Sequence, residues 1–289
     1  MIIGVMGPEG SYSEKAAKLW TAKYDLCGSE FRYFADIEDT LLAAVQRKSD
    51  LSIVPVENSI EGSVGMTLDL LLEKDVTIVG EVVVKIEHCL LAKGRFEEIR
   101  IILSHPQGLA QCRHFLKKHF PEAELRSTGS TSHAARLAGE FEEMAAIASP
   151  EAAECYKLKT LLSNIQDQKE NYTRFIVLKS GPGSGYEFRM AMENLFSSCK
   201  NLPFKSSLII YLEKDRPGAL YEILGAFAKR KINLTKIESR PSKKELGDYY
   251  FYIDFEGQCS DELIKDALED IKVKVDTLKV LGSYPAFKH

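Results

Sequence analysis

The chain has 289 residues, of which 45% are hydrophobic and 28% are charged. These values are ordinary for a soluble globular protein, and the length allows two domains that each bury a core. The formal net charge is −4, which argues against nucleic acid or an anionic membrane as a partner. No apolar run approaches the roughly 20 residues that a membrane-spanning helix needs.

The compartment can be predicted from the amino terminus and the cysteines. Residues 1–7 enter an apolar strand directly, without the charged start and cleavage site of a secretory signal. The six cysteines are scattered, and no two form a C-x-x-C pair. This spacing favours reduced thiols over a disulfide framework or a zinc site. We therefore expect a cytoplasmic protein without a bound metal.

Residues 1–180 alternate short apolar runs with helical patterns, which predicts a largely parallel sheet flanked by helices. The predicted strands are Ile2–Met6, Leu51–Pro55, Thr77–Val84, Ile101–Leu103, Ala145–Ala148 and Thr173–Leu178. The predicted helices include Ser13–Tyr24, Ile37–Gln46, Gln107–His119 and Ser132–Phe141. The apolar run Val76–Leu91 is too long for one simple strand and suits a crossover between two lobes. With the chain returning near Ile165, this α/β region is predicted to have two lobes and a cleft.

Residues 181–206 are predicted to be a linker, because they begin with the sequence Gly-Pro-Gly-Ser-Gly. A short amphipathic helix with Phe188 and Phe196 is expected inside it. From residue 207 to residue 289 the pattern becomes βαββαβ, with strands predicted at Leu208–Leu212, Leu234–Ser239, Tyr249–Phe255 and Val273–Val280. This order is typical of an α+β, ferredoxin-like domain.

Small polar residues follow several predicted strands of the first region and open helices. They are Ser11, Asn58 and Ser59, the run Ser104 to Gln107, and Ser130 with Thr131. Ligands of α/β sheets bind at the carboxyl ends of strands, and helix amino termini attract carboxylates. The alternative is that these residues only cap their helices. Four such openings favour an anion-binding cleft.

Four stretches give residues 2–178 a resemblance to the prephenate dehydratase family. They are Gly7–Ser13, Val54–Val64, Ser104–Gln107 and Asn171–Phe175. The resemblance implies a two-lobed catalytic domain like that of periplasmic binding proteins. It also implies the conversion of prephenate to phenylpyruvate, water and carbon dioxide. Aromatisation supplies most of the driving force, so no cofactor is expected. Mostly neutral donors suit a carboxylate that must leave, because cations would stabilise its ground state.

The resemblance places Thr173 at the family's catalytic threonine. We expect its hydroxyl to donate a hydrogen bond to the departing hydroxyl, with Glu57 or His105 supplying the proton. The other predicted substrate-binding residues are Ser11, Asn58, Ser59, Ser104, Gln107, Ser130, Thr131, Arg174 and Phe175. Strand alternation predicts that Arg174 points away from Thr173 and that Phe175 shares its side. Arg174 either binds the substrate's side-chain carboxylate or braces the threonine segment.

Residues 207–282 resemble an ACT domain, a small amino-acid-sensing module. The matches are Gly218-Ala219-Leu220 at the first helix and Glu238-Ser239-Arg240-Pro241 at the second strand. The resemblance implies an allosteric site for L-phenylalanine at Gly218, Ala219, Leu220, Asn233, Glu238, Ser239 and Arg240. It also implies a dimer or tetramer formed through these domains. The alternative is a turn glycine and a surface charge pair.

Three other functions compete with this one. A solute-binding protein or sensor has the same two-lobed cleft, but the missing signal and the threonine motif argue against it. Arogenate dehydratase differs in its substrate by one amino group, and the sequence does not decide between the two. A fused chorismate mutase would need a helical module, and none is expected because the first strand begins at Ile2.

Overall fold

The computed structural model describes residues 1–26, 28–181, 202–212, 217–243 and 248–287. The predicted helix with Phe188 and Phe196 and most of the predicted linker lie outside these residues. The sequence Asp215-Arg216-Pro217-Gly218 is typical of a turn, and its first two residues also lie outside the described ranges. Within the described ranges, no helix is long and apolar enough to cross a membrane.

The first region forms two lobes, each built on its own sheet. The first lobe begins with β1 (Ile2–Met6), α1 (Tyr12–Lys23), β2 (Glu30–Phe34), α2 (Ile37–Val45), β3 (Leu51–Asn58), β4 (Gly62–Ser63), α3 (Gly65–Glu73) and β5 (Val76–Lys85). The second contains β6 (Cys89–Ala92), β7 (Ile101–Ser104), α4 (Pro106–Gln111), α5 (Arg113–His119), β8 (Glu124–Ser127), α6 (Thr131–Ala138), β9 (Met144–Ala148), α7 (Pro150–Cys155) and β10 (Lys159–Leu162). The chain then returns to the first lobe as β11 (Tyr172–Ser180).

Strand pairing explains why the run Val76–Leu91 is so apolar. The first sheet has the order β2-β1-β3-β11-β5, and the second has the order β10-β6-β9-β7-β8. β5 and β6 therefore belong to different sheets, and nearly all of their residues are buried. Strands buried on both faces are continuously apolar rather than alternating. The predicted two-lobed α/β architecture with a crossover is confirmed. The prediction of a largely parallel sheet was wrong, because β11 runs antiparallel to both of its neighbours in the first sheet and β6 does so in the second.

The helix predicted over Gln107–His119 is two helices that meet at Cys112. Cys112 is fully buried and has φ −114° and ψ 20°, outside the helical range. The second helix starts anew because the Asp167 carboxylate accepts hydrogen bonds from the N–H groups of His114 at 3.0 Å and Phe115 at 3.4 Å. Asp167 is 53 residues away from His114, so the residues of the helical stretch give no indication of this cap.

The C-terminal region has the predicted βαββαβ order. It contains β12 (Phe204–Tyr211), α8 (Ala219–Ala228), β13 (Leu234–Pro241), β14 (Tyr249–Glu256), α9 (Glu262–Lys272) and β15 (Thr277–Pro285). These strands form an antiparallel sheet in the order β13-β14-β12-β15. The last strand was predicted at Val273–Val280, but β15 begins only at Thr277. Val273 directly follows α9 and is 83% exposed.

This C-terminal sheet packs its free face on the first lobe. Ile209 and Tyr252 of the sheet share one apolar cluster with Val56 and Ile176 of the first lobe. Lys279 on β15 donates hydrogen bonds to the carbonyl oxygens of Leu71, Leu72 and Lys74 at 2.8–3.1 Å. These carbonyls lie at the end of α3, where helical partners are lacking. The two domains are therefore joined by a continuous interface.

At Gly282 the backbones of the two domains lie close together. Its φ is +148°, and an added Cβ would clash with the carbonyl oxygen of Ile78 on β5. Gly282→Ala is expected to cost about 3 kcal/mol of stability through strain and overpacking. Urea unfolding measures the loss. Gly225→Ala in α8 is the control, because apart from its own helical turn no described residue lies within 4 Å of that Cβ, and equal stabilities for the two variants would contradict the prediction.

Candidate active site

The two lobes are connected by two segments that run side by side. The N–H of Ile86 donates to the carbonyl of Asn171 at 2.8 Å, and the N–H of Ile165 donates to the carbonyl of His88 at 3.0 Å. The first of these segments leads from β5 to β6, and the second leads from β10 to β11. Residues next to these connections therefore lie where the two lobes meet.

Thr173 lies at this junction, at the beginning of β11. It pairs with Asn58 at the end of β3, and both are more than 90% buried. The side-chain amide of Asn58 donates to Thr173 Oγ1 at 2.9 Å, and Asn58 Oδ1 accepts from the N–H groups of Ile60 and Glu61 at 3.0 Å. Because Thr173 Oγ1 accepts this hydrogen bond, its own O–H is directed elsewhere.

A chain of buried amides and one imidazole continues from Asn58 into the second lobe. Asn58 also donates to Asn171 Oδ1 at 2.8 Å, and Asn171 donates to Gln111 Oε1 at 2.9 Å. His88 Nε2 lies 3.0 Å from the same Gln111 oxygen, and Tyr12 Oη lies 3.4 Å from His88 Nδ1. The sequence did not indicate the roles of Gln111, His88 and Tyr12, because their hydrogen-bond partners lie far away along the polypeptide.

Several predicted ligands are helix caps. The hydroxyls of Ser11 and Ser130 accept from backbone N–H groups at the starts of α1 and α6. His105 caps α4, where its Nδ1 accepts from the N–H of Gln107 at 3.3 Å. Ser59 accepts from the N–H of Tyr172 at 2.9 Å. The cap interpretation therefore holds for Ser11, Ser130 and His105, whereas Ser59 binds the backbone at the start of β11.

Two other predicted ligands lie within the protein. Ser104 is fully buried and donates to the carbonyl of Ile147 at 2.7 Å. Phe175 is 2% exposed and packs in the core of the first lobe with Ile3 and Val5. Thr131, by contrast, is half-buried at the first position of α6. Of these three side chains, Thr131 has the access that a ligand needs.

Glu57 and Arg174 lie on the opposite face of the sheet from Thr173. They pair with each other across β3 and β11, and strand neighbours point to opposite faces. Arg174 Nη2 lies 2.6 Å from Asp254 on β14, and Glu57 lies 3.0 Å from Lys236 on β13. The geometry thus separates Glu57 from Thr173 and directs Arg174 to the C-terminal domain. Of the alternatives predicted for these roles, this geometry favours His105 over Glu57 as the proton source, and bracing of the threonine segment over substrate binding for Arg174.

Burial by itself would lower the pKa of the Arg174 guanidinium. Asp254, Tyr284 and Glu81 act in the opposite direction, with Asp254 making the largest contribution among them. Their combined effect exceeds that of burial and raises the pKa of Arg174 well above its usual value. Arg174 is therefore charged at every relevant pH, and its side chain is held by carboxylates at the domain interface.

The predicted phenylalanine-binding residues fall into two groups. Gly218, at φ +86°, begins α8 together with Ala219 and Leu220. Asn233 precedes β13, on which Glu238, Ser239 and Arg240 lie. The guanidinium of Arg240 hydrogen-bonds Asp69 of α3 at 3.0 Å. Arg240 therefore ties its strand to the first lobe.

The lobes also meet at the rim of the cleft. Ser149 Oγ donates to the carbonyl of Gly10 at 2.8 Å, and Tyr156 Oη donates to the carbonyl of Glu9 at 2.9 Å. The ammonium of Lys15 lies 2.7 Å from the carboxylate of Glu151. These contacts join α1 and the loop before it to α7, so they hold the lobes together near the predicted ligand-binding openings.

His88 is expected to make stability depend on pH. Burial lowers its pKa, although the hydrogen bond to Gln111 acts in the opposite direction. The unfolded state therefore takes up a proton near pH 6.5, the ordinary value, while the folded state stays neutral. The free energy of unfolding should fall as the pH decreases below this value.

Urea unfolding of the wild type and of His88→Gln at pH 7.5 and 5.5 measures this contribution. The wild type is expected to lose more stability than the variant over this pH interval. An equal loss in the two proteins would contradict a neutral His88 in the folded state.

Comparisons with known proteins agree with this architecture. The family model for prephenate dehydratase matches residues 3–182, and the ACT domain model matches residues 206–273. The prephenate dehydratase of Methanocaldococcus jannaschii is 41% identical and covers 97% of this chain and 96% of its own length. Arogenate dehydratase/prephenate dehydratase 2, chloroplastic, from Arabidopsis thaliana is 38% identical over 98% of this chain and 72% of its own length.

A solved structure is similar over nearly the whole chain. The prephenate dehydratase of Arthrobacter aurescens in complex with L-Phe has a TM-score of 0.82 and 31% sequence identity. It covers 99% of this chain and 92% of that one. The matched family model, the identity to curated relatives and the shared fold lead to one conclusion: the chain belongs to the prephenate dehydratase family and carries a C-terminal ACT domain.

Proposed function

We propose that this protein converts prephenate to phenylpyruvate, and that L-phenylalanine regulates it through the ACT domain. The observation that carries the proposal is the hydrogen bond of 2.9 Å from the Asn58 amide to Thr173 Oγ1 at the junction of the lobes. It leaves the threonine O–H available for a substrate oxygen. Membership in the family supplies the chemistry that this donor serves.

The reaction breaks two bonds of the substrate. The bond between the ring and its carboxylate breaks, CO2 leaves, and the electron pair moves into the ring. The C4–O bond breaks, and the hydroxyl takes up a proton and leaves as water. The O–H of Thr173 donates to this departing oxygen, and the hydrogen bond strengthens as negative charge develops there.

The side chains that hydrogen bonds link to Thr173 are neutral among the described residues, which fits the loss of a carboxylate. Asn58, Asn171 and Gln111 are amides, and the cation of Arg174 is directed to the other face of the sheet. A cation at the ring carboxylate would stabilise it before CO2 leaves and would slow the reaction. Of the two predicted proton sources, Glu57 and His105, we propose the half-buried His105, which follows β7.

Purified protein incubated with prephenate provides the direct test. We expect phenylpyruvate to accumulate, measured by its absorbance in alkali. A sensor without catalytic activity would bind prephenate in a calorimeter and form no product. Comparison of kcat/KM for prephenate and arogenate, the second candidate substrate, addresses the choice between them, because a relative at 38% identity bears both activities in its name.

Phenylalanine sensing and self-association are proposed together. A similar structure contains L-Phe, and β13 lies at the edge of the ACT sheet with Ile237 45% exposed. An edge strand offers unpaired backbone groups to a second copy. We expect L-phenylalanine to change the activity and the sedimentation of the protein. If L-phenylalanine alters neither the activity nor the sedimentation, the proposed regulation through the ACT domain is wrong.

The domain boundaries and the location remain proposals as well. The proposed division is a catalytic domain over residues 1–180, a linker from residue 181 and an ACT domain to residue 289. The predicted end of the linker at residue 206 is moved to residue 203, because β12 begins at Phe204. The protein is proposed to act in the cytoplasm, because its substrate and its effector are small metabolites. Limited proteolysis followed by mass spectrometry would locate the linker.

A further inference from the structure

A cluster of charged side chains lies behind Thr173, between the first lobe and the ACT sheet. Its acidic members are Glu57, Glu81 and Asp254, and its basic members are Arg174, Lys205 and Lys236. The acids and bases balance, and Glu81 is 1% exposed. This charge cluster borders a cavity of about 10 Å³ lined by both domains. Because such a cavity holds about one water molecule, the cluster connects the domains rather than binding a metabolite.

Arg174 is the centre of the charge cluster. Its guanidinium lies 2.6 Å from Asp254 Oδ2, 3.2 Å from Glu81 Oε2 and 3.5 Å from Glu57 Oε2. The side chain is 13% exposed. The shortest of these contacts is therefore made to the ACT domain.

Asp254 is itself fixed in place. Its Oδ1 accepts from Ser207 Oγ at 2.6 Å, and Ser207 Oγ lies 2.7 Å from the hydroxyl of the fully buried Tyr284. Asp254 is 5% exposed, so the loss of its charge would leave Arg174 without its nearest partner in a poorly hydrated place. Removing one member of a buried ion pair is strongly destabilising. The position of Arg174 thus depends on the ACT sheet.

We propose that Arg174 is a positioning residue for Thr173 and that Asp254 of the ACT domain holds it in place. The inference rests on the proposed dehydratase function. Thr173 and Arg174 are consecutive on β11, so a displacement of Arg174 reorients the peptide group that joins it to Thr173. The Thr173 hydroxyl then moves as well. A misplacement of about 1 Å can cost on the order of 100-fold in rate.

This arrangement gives the ACT domain a route to the cleft. Any state of the ACT sheet that lengthens the contact between Asp254 and Arg174 would displace the Thr173 hydroxyl, without altering the groups that bind substrate. An effector that favours such a state would lower kcat more than it raises KM. The route differs from the other contacts of this interface, such as the pair of Arg240 and Asp69, which end on α3.

Asp254→Asn tests the proposal, with Asp69→Asn as the matched control. Both substitutions remove a carboxylate that pairs with cations across the same interface, but only Asp254 contacts Arg174. We expect Asp254→Asn to lower kcat at least about tenfold with KM within about twofold. Asp69→Asn is expected to keep kcat within about twofold of the wild type. Equal losses in kcat would mean that the pairs only hold the domains together, and would overturn the proposal.

A double-mutant cycle with Thr173→Ala separates positioning from general stability. If Asp254 acts through Thr173, Asp254→Asn has little further effect on kcat once the hydroxyl is absent. A full additional loss in the double variant would show that Asp254 acts by another route. Ser207→Ala is the milder second variant should Asp254→Asn fold poorly. Because it removes one hydrogen bond to Asp254, we expect a smaller loss in kcat of the same kind.

Hydrogen exchange provides a readout that needs no substrate. Amides of residues 172–176 are expected to exchange faster in Asp254→Asn than in Asp69→Asn or the wild type. Exchange that is the same in all three proteins would overturn the proposal, whatever the activity. A wild-type protein that does not convert prephenate would instead refute the proposed function, and the exchange experiment would still decide whether Asp254 holds this segment.

Discussion

Thr173→Ala is expected to lower kcat by about 100-fold to 1,000-fold, the range for loss of one donor to a developing negative charge. The hydroxyl receives a hydrogen bond from Asn58 and therefore presents its proton to the departing oxygen. KM should change little, because this interaction strengthens mainly in the transition state. Steady-state kinetics with prephenate measures both constants.

Two further substitutions at Thr173 serve as controls. Thr173→Ser keeps the hydroxyl, and its kcat should remain within about tenfold of the wild type, well above that of the alanine variant. Thr173→Val keeps the β-branched shape that strands favour but lacks the hydroxyl, so its kcat should be as low as that of Thr173→Ala. Near-normal turnover by the valine variant would show that the hydroxyl takes no part in the reaction.

Asn58→Asp is expected to lower kcat by about 100-fold, comparable to the loss of a catalytic donor. The introduced carboxylate cannot donate to Thr173 Oγ1, so the threonine would donate its own proton to the carboxylate instead of to the substrate. Its oxygen can still accept from the N–H groups of Ile60 and Glu61, as Asn58 Oδ1 does. The local turn should therefore persist, and circular dichroism should be unchanged.

The pH dependence of this variant provides an internal control. When the introduced carboxyl is protonated it regains a donor, so the ratio of kcat in Asn58→Asp to kcat in the wild type should rise as the pH falls. The same ratio for Thr173→Ala should stay low at every pH. A ratio for Asn58→Asp that does not change with pH would contradict the proposed orientation of the Thr173 hydroxyl.

Local sequence patterns were sufficient for the most buried strands and for the arrangement into lobes, but they did not indicate the largely exposed strands β2, β8 and β10. The long apolar run Val76–Leu91 indicated a crossover, because a strand buried on both faces loses its alternation. The βαββαβ order of the C-terminal region followed from apolar spacing. Boundaries were less secure where two patterns overlap, as at Val273, which ends a helix rather than beginning a strand.

The sequence by itself also indicated which residues could cap helices. Ser11 and Ser130 do cap α1 and α6. Strand alternation alone predicts that Thr173 and Arg174 point to opposite faces of the sheet. These inferences succeed because they depend on neighbours within a few residues along the chain.

Only the tertiary structure decided what occupies each face of β11. Asn58 and Asn171 are 113 residues apart, and Arg174 and Asp254 are 80 residues apart, so no local pattern records either contact. Packing of the ACT sheet on the first lobe places Glu57 in a charge cluster and leaves the cleft to neutral amides. Sequence fixes the direction in which a side chain leaves its strand, whereas its partner and its role depend on which distant element packs there.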